Sequence, residues 1–205
     1  GDKAFVAGAD ISQFEDQRAS KAAVEHYDEM SKRALASLQR IGKPTIAMIR
    51  GFCIGGGLNV AMSCDLRIAA SDARLAIPAA RLGLGYAYDG VKKLVSLVGP
   101  AYAKEIYFTA RQFDAAEAHH MGLVNRVVEP QMLESTIESM AAAIADNAPL
   151  TIKSTKLSVD TAVTDAQARD LGAVQAAVDA CFASHDYIEG RRAFMEKRKP
   201  AFRGV

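Results

Sequence analysis

Three consecutive glycines, Gly55-Gly56-Gly57, stand within Phe52-Cys53-Ile54-Gly55-Gly56-Gly57-Leu58-Asn59, where an apolar strand gives way to a helix. A backbone this dense in glycine reaches conformations closed to other residues and lets a ligand approach its N–H groups closely. At a helix N-terminus those N–H groups lack intrahelical partners and the dipole is positive, so the turn suits an oxygen that develops negative charge. Glycine runs also make plain turns and close packing contacts. The rest of the chain has to choose between a ligand site and a packing device.

Around the triplet, short strands alternate with helices. Ala4-Phe5-Val6 reads as a strand opening into Ala7-Gly8-Ala9-Asp10, and Thr45-Ile46-Ala47-Met48-Ile49, bounded by Pro44 and Gly51, reads as a buried strand. Between them, Val24, Tyr27, Met30, Ala34, Leu35 and Leu38 recur at helical spacing, which predicts a helix over about 19–41 stopped by Gly42-Lys43-Pro44. A small-residue helix to about Met62 follows the glycines, then strands at Leu66-Arg67-Ile68-Ala69 and Arg74-Leu75-Ala76 and a loop, Leu82-Gly83-Leu84-Gly85-Tyr86-Ala87-Tyr88-Asp89-Gly90. From Val91 onward nearly everything reads helical, with breaks at Gly99-Pro100, Phe113-Asp114, 122–130, Pro149 and around Ser184. The fold class is α/β with a helical C-terminal part.

Composition narrows the function classes. Half of the 205 residues are apolar and 24% charged, enough to bury a full core. Net charge is +1, and the basic clusters Arg191-Arg192 and Lys197-Arg198-Lys199 are local, so neither a nucleic-acid nor a membrane partner is expected. Cys53, Cys64 and Cys181 are odd in number and widely spaced, which predicts reduced thiols, a cytoplasmic location and no metal site. Gly1-Asp2-Lys3 lacks an initiator methionine and runs straight into a strand, so an N-terminal part is expected to be missing.

Several blocks resemble the enoyl-CoA hydratase/isomerase (crotonase) superfamily: Ala4-Phe5-Val6-Ala7-Gly8-Ala9-Asp10-Ile11; Pro44-Thr45-Ile46-Ala47 leading to Gly51 and the glycine triplet; Cys64-Asp65-Leu66-Arg67-Ile68-Ala69; 116–128; and 189–200. Their order and spacing span essentially the whole chain. The resemblance implies a crotonase-like spiral of repeated ββα units over 1–142 and a helical trimerisation part over 143–205. It further implies assembly as a homo-oligomer, a trimer or a dimer of trimers, and an upstream segment that helps hold coenzyme A. The substrate implied is an acyl-CoA thioester, with no separate cofactor.

In that family two backbone N–H groups grip the thioester oxygen, and the matching positions are Ala9 and Gly56. Ala7, Gly8, Asp10 and Ile11 fall in the block that lies along coenzyme A, while Phe194 and Lys197 match residues that touch its adenine and phosphates across a subunit boundary. Asp65 matches a structural position. The side-chain chemistry departs from the pattern. Hydratases use two glutamates, one shortly after the glycine triplet and one directly after a proline, where this chain has Asn59 and Ala79. Neither residue can exchange a proton at neutral pH, whereas hydration needs an activated water and a proton delivered to the α-carbon.

Replacements are sought in the loop that follows. Asp89 could act as acid or base, as an aspartate does in related isomerases, but it also reads as an N-cap for the helix beginning near Gly90. Tyr86 resembles the tyrosine with which a bacterial methylmalonyl-CoA decarboxylase orients the departing carboxylate, or else it packs in the loop. Asn59 could hold a water or a substrate oxygen, or be satisfied by its neighbours. The readings are therefore a hydratase-like lyase on a 2-enoyl-CoA, an isomerase using Asp89, a decarboxylase using Tyr86, and a non-catalytic protein that binds CoA esters.

Overall fold

In the computed structural model, residues 3–8 and 20–205 are described. They fall into two compact units, one of residues 1–41 and 45–137 and the other of 42–44 and 138–205. The first holds the strands β1 (Ala4–Val6), β2 (Ile46–Ile49), β3 (Phe52–Ile54), β4 (Leu66–Ala70), β5 (Arg74–Ala76), β6 (Phe113–Asp114) and β7 (Arg126–Val128). Its helices are α1 (Lys21–Gln39), α2 (Gly56–Met62), α3 (Tyr88–Thr109) and α4 (Ala115–His120), with a tight helical turn at Pro78–Leu82.

From β1 to β5 the strands alternate between two sheets, one in the order β1-β3-β5-β6 and the other β2-β4-β7. The turns β2-β3-α2 and β4-β5-α3 therefore each give one strand to each sheet before the helix returns the chain, and β6-α4-β7 closes the series by adding one more strand to each. Pairing is parallel except between β5 and β6. Parallel strands covered on both faces are apolar throughout. Accordingly Ile68, Ala69 and Ala70 of β4 are all fully buried, and they join Ile49, Leu58, Leu75, Ile77, Leu94, Phe113 and Leu123 among the buried apolar residues.

Two polar devices lock the turns together. Asp65, at the entry to β4, accepts hydrogen bonds from the Thr45 N–H at 2.7 Å and the Thr45 hydroxyl at 2.9 Å, which fixes β2 against β4. Arg67 is 4% exposed; its Nε donates to the Leu123 carbonyl at 2.8 Å and its guanidinium to the Cys64 carbonyl at 2.9 Å.

The structure refines the breaks expected after Val91 and corrects one cap. The stretch after Val91 is helical outside the expected breaks, and two of those breaks, at Phe113-Asp114 and within 122–130, hold the strands β6 and β7. With two and three residues they carry no period of their own, and pairing on β5 and β4 defines them. The break at Gly99-Pro100 is a kink inside α3, where Gly99 takes φ +74° and Pro100 opens the next helical segment. Asp89 is not the N-cap of α3: Ala87 occupies that position, with no side-chain cap, and Asp89 sits exposed in the first turn.

The second unit comprises α6 (Pro149–Ala162), α7 (Leu171–Phe182), α8 (His185–Met195) and the C-terminal residues, and α5 (Leu133–Ala145) leads into it. Within α8, Asp186 is buried and accepts from the Arg203 and Gly204 N–H groups at 2.8 and 2.7 Å. Glu189, also buried, accepts from the two terminal guanidinium nitrogens of Arg198 at 2.6 and 3.0 Å and from the Ala201 N–H at 3.0 Å. Arg198 first, then the Ala201 N–H, hold the Glu189 carboxyl down from its ordinary 4.5 to about 2. Between those values the unfolded chain binds the proton and the folded chain does not. The stability Glu189 supplies is thus complete above pH 4.5 and is lost as the pH falls toward 2. Thermal unfolding across that interval should fall less steeply with pH in Glu189→Gln than in the unaltered protein, and parallel slopes would remove Glu189 from the acid response.

Candidate active site

The glycine turn is set by backbone contacts. Gly55 has φ +56° and ψ −113°, a conformation that side chains resist, and its N–H is tied to the Ala76 carbonyl at 2.8 Å. Gly56 then opens α2, with the amide of a first helical residue left without an intrahelical partner, and it is exposed. Gly57 is buried, and a Cβ there would run into the Val6 carbonyl and lie 2.8 Å from the Val6 Cβ. The triplet thus divides its work: one residue turns the chain, one presents an amide, and one admits β1.

Parallel pairing of β1 with β3 makes their C-terminal ends leave the sheet as neighbours. Gly8, at φ +111°, passes the end of β3, where a Cβ would stand 3.5 Å from the Ile54 carbonyl oxygen. Ala7 and Gly8 are therefore adjacent to the glycine turn. Ala9, Asp10 and Ile11 lie outside the described residues.

One helical turn beyond Gly56, Asn59 is on the same face of α2. Its Oδ1 is buried and has no hydrogen-bond partner among the described residues. The Asn59 amide sits beside the Tyr86 hydroxyl, a contact that favours the phenolate while leaving Oδ1 unsatisfied. Burial is the larger influence and pushes the Tyr86 phenol up. Tyr86 in turn meets Tyr107 of α3 edge to face, with ring centroids 5.0 Å apart. Ala79, in the turn after Pro78, is 7% exposed and offers only a methyl group. Sequence reasoning did not single out Tyr107. Its place in α3 reads as ordinary packing, and only the fold brings it to Tyr86.

Asp89 is not buried with this group but exposed at the start of α3. Phe194 and Lys197 belong to the second unit. Phe194 is 82% exposed on α8 and borders a largely apolar groove of about 910 Å³ that also includes Phe182, Tyr187 and Met195. Lys197 stands just past α8 at φ +53°, a position glycine usually fills, with its N–H on the Phe194 carbonyl and the Arg198 N–H on the Ala193 carbonyl.

The family profile described as enoyl-CoA hydratase/isomerase matches residues 1–205. The chain belongs to the enoyl-CoA hydratase/isomerase family. It is 38% identical over 199 residues to the short-chain-enoyl-CoA hydratase of Clostridium acetobutylicum, covering 97% of this chain and 76% of that protein. With the crotonyl-CoA hydratase of Syntrophomonas wolfei it shares 37% over 202 residues, 98% of this chain and 77% of the relative. Among solved structures, an enoyl-CoA hydratase/carnithine racemase from Magnetospirillum magneticum superposes with a TM-score of 0.91 at 35% identity, over 100% of this chain and 76% of that one. An enoyl-CoA hydratase from Bacillus anthracis superposes at 0.90 and 32% identity, covering 100% and 79%. The arrangement of ββα turns described above is therefore the crotonase fold, and as a member of this family the chain is of an enzyme type that acts on acyl-CoA thioesters. Among the described residues no helix is long and apolar enough to cross a membrane.

Proposed function

We propose that the protein adds water to a 2-enoyl-CoA thioester, holding the developing enolate oxygen between the N–H groups of Gly56 and Ala9. The observation that carries this reading is the glycine turn. The Gly56 amide opens a helix with no intrahelical partner, beside the end of β1, which leads directly to residue 9. Preorganised donors of this kind act where charge appears, at the thioester oxygen, as water bonds to the β-carbon and the π electrons move toward the carbonyl. Removing one such donor in other enzymes costs about a hundredfold or more in rate. Ala7, Gly8, Asp10 and Ile11 are assigned to the coenzyme A moiety, with Phe194 and Lys197 supplied by a neighbouring subunit of a trimer or hexamer.

Proton transfer is the open part of the chemistry. Asn59 and Ala79 stand where the family's glutamates would, so the proton leaving the water and the proton reaching the α-carbon pass through other groups. Asp89, a carboxylate close in sequence to Tyr86, is the candidate carrier. A second reading is favoured by the contact between Asn59 and Tyr86, neither of which is a base at neutral pH. Loss of carbon dioxide from a malonyl-type thioester leaves its electron pair as the enolate and needs no base, with Tyr86 orienting the carboxylate.

Incubation with crotonyl-CoA, followed by mass spectrometry, separates the two. Gain of one water is the expected result, with a loss of about a hundredfold or more in Asp89→Ala if Asp89 carries the proton. Unchanged crotonyl-CoA together with release of carbon dioxide from methylmalonyl-CoA would replace the first reading with the second.

A further inference from the structure

Helix α8 ends in a Schellman motif that lacks its usual glycine. The Lys197 N–H donates to the Phe194 carbonyl at 3.2 Å and the Arg198 N–H to the Ala193 carbonyl at 3.0 Å, with Lys197 itself left-handed at φ +53°. The end of α4 has the same two bonds, from Gly122 to His119 at 3.0 Å and from Leu123 to Ala118 at 2.8 Å, and there the left-handed residue, at φ +81°, is glycine. A side chain in this conformation lowers stability, so a lysine there needs a reason. Among the described residues the other non-glycine residue at positive φ is Ala110, whose methyl group is buried and gains by packing. Lys197 is exposed, so packing does not account for it.

The neighbours of Lys197 hold it in place. Arg198, directly after it, donates through both terminal nitrogens to the buried Glu189 carboxylate and through Nε, at 2.6 Å, to Glu196, directly before it. The Glu196–Arg198 pair thus spans Lys197, and Glu189 fastens that pair to the body of α8. Lys199 is bound to Asp146 at 2.7 Å. Of three consecutive cations the later two are therefore paired, while Lys197 forms no ion pair among the described residues. Strained residues over-determined by their surroundings gather at ligand clamps, and this one carries an unpaired charge three residues from the exposed ring of Phe194.

We infer that Arg198 and Glu189 are positioning residues, which hold the Lys197 backbone left-handed so that its ammonium is presented to a phosphate of coenzyme A. This rests on the assignment of Phe194 and Lys197 to coenzyme A made above, and adds the device that sets the lysine. Glycine at 197 would make a more stable helix end without the cation.

The test is calorimetric titration with butyryl-CoA, together with thermal unfolding, of the protein and of Lys197→Gly, Lys197→Met, Arg198→Lys, Glu189→Gln and the double variant Lys197→Met/Arg198→Lys. Lys197→Gly should unfold about 2–4 °C higher, through relief of the strain. Both it and Lys197→Met should bind butyryl-CoA about tenfold more weakly, the effect of losing a charge-assisted bond. Added salt should weaken binding less in Lys197→Met than in the unaltered protein, since a phosphate contact is screened. Arg198→Lys keeps the charge but loses the planar fork, and should weaken binding about threefold when Lys197 is present and not at all when residue 197 is Met. Glu189→Gln leaves the protein more positive, yet should weaken binding by the same factor of about three. An unfolding temperature in Lys197→Gly that is equal or lower overturns the proposal by removing the strain. Unchanged affinity in Arg198→Lys or Glu189→Gln overturns it, as does a loss in Arg198→Lys that persists beside Lys197→Met, which would make Arg198 act without the lysine. Binding of butyryl-CoA unaffected by Lys197→Gly overturns the assignment of Lys197 to coenzyme A, whereas failure of the unaltered protein to bind it overturns the acyl-CoA reading itself.

Discussion

Gly57→Ala is expected to cost about 3 kcal/mol or more of stability, because overpacking against backbone cannot be relieved by a rotamer change. The added methyl would be driven into the Val6 carbonyl, and α2 or β1 would have to give way. In a chain of this size, that loss corresponds to an unfolding midpoint lower by roughly 10 °C. Thioester turnover should fall further than stability alone explains, since Val6 of β1 packs directly against the turn that presents the Gly56 amide. Gly56→Ala is the matched control. A Cβ there meets nothing within 4 Å, so its unfolding free energy should match that of the unaltered protein to within about 0.5 kcal/mol. Equal unfolding temperatures for the two variants would show that the close approach to Val6 carries no energy.

Arg67→Met should be comparably destabilising for a different reason. Methionine fills much of the space of the arginine stem but donates to nothing, leaving the Leu123 and Cys64 carbonyls without the partners that Arg67 gives them. Two buried carbonyls deprived of charged donors cost together about 3 kcal/mol. Arg67→Lys is expected to lie between the two, because a single ammonium cannot reproduce the guanidinium's divergent donors. Chemical denaturation of the three proteins measures this directly, and a Met variant as stable as the parent would demote Arg67 to a passive filler.

The elements legible in the sequence were those whose signal is local. Helical spacing through Val24, Tyr27 and Leu38 marks α1, which runs Lys21–Gln39 with Ser20 as its cap. The β-branched and apolar run bounded by Pro44 and Gly51 marks β2, and Gly55 to Gly57 mark the strand-to-helix turn. What stayed hidden depends on partners distant in the chain. β6 and β7 are too short to show a period and exist through pairing with β5 and β4. Arg67 reads as one charge in a strand, and its burial is visible only once Leu123 has been folded against it. The same holds for the candidate site. Gly56 and Asn59 are placed by their own helix, whereas the meeting of Tyr86 with Tyr107 is a consequence of the kink at Gly99 and of tertiary packing. Asp89 illustrates the opposite error, a residue with capping chemistry at a helix start whose cap position is filled by Ala87.

The order β1-β3-β5-β6 leaves β1 at the margin of its sheet among the described residues, joined to the rest through β3. Opening of a marginal strand is a sub-global event whose free energy can lie well below that of complete unfolding. On the reading above, half of the oxyanion grip hangs from that strand, so catalytic competence and global stability are separate quantities in this molecule. Amide exchange at Val6 should then report the population able to turn over substrate, while exchange in the interior strand β4 reports the population that is folded.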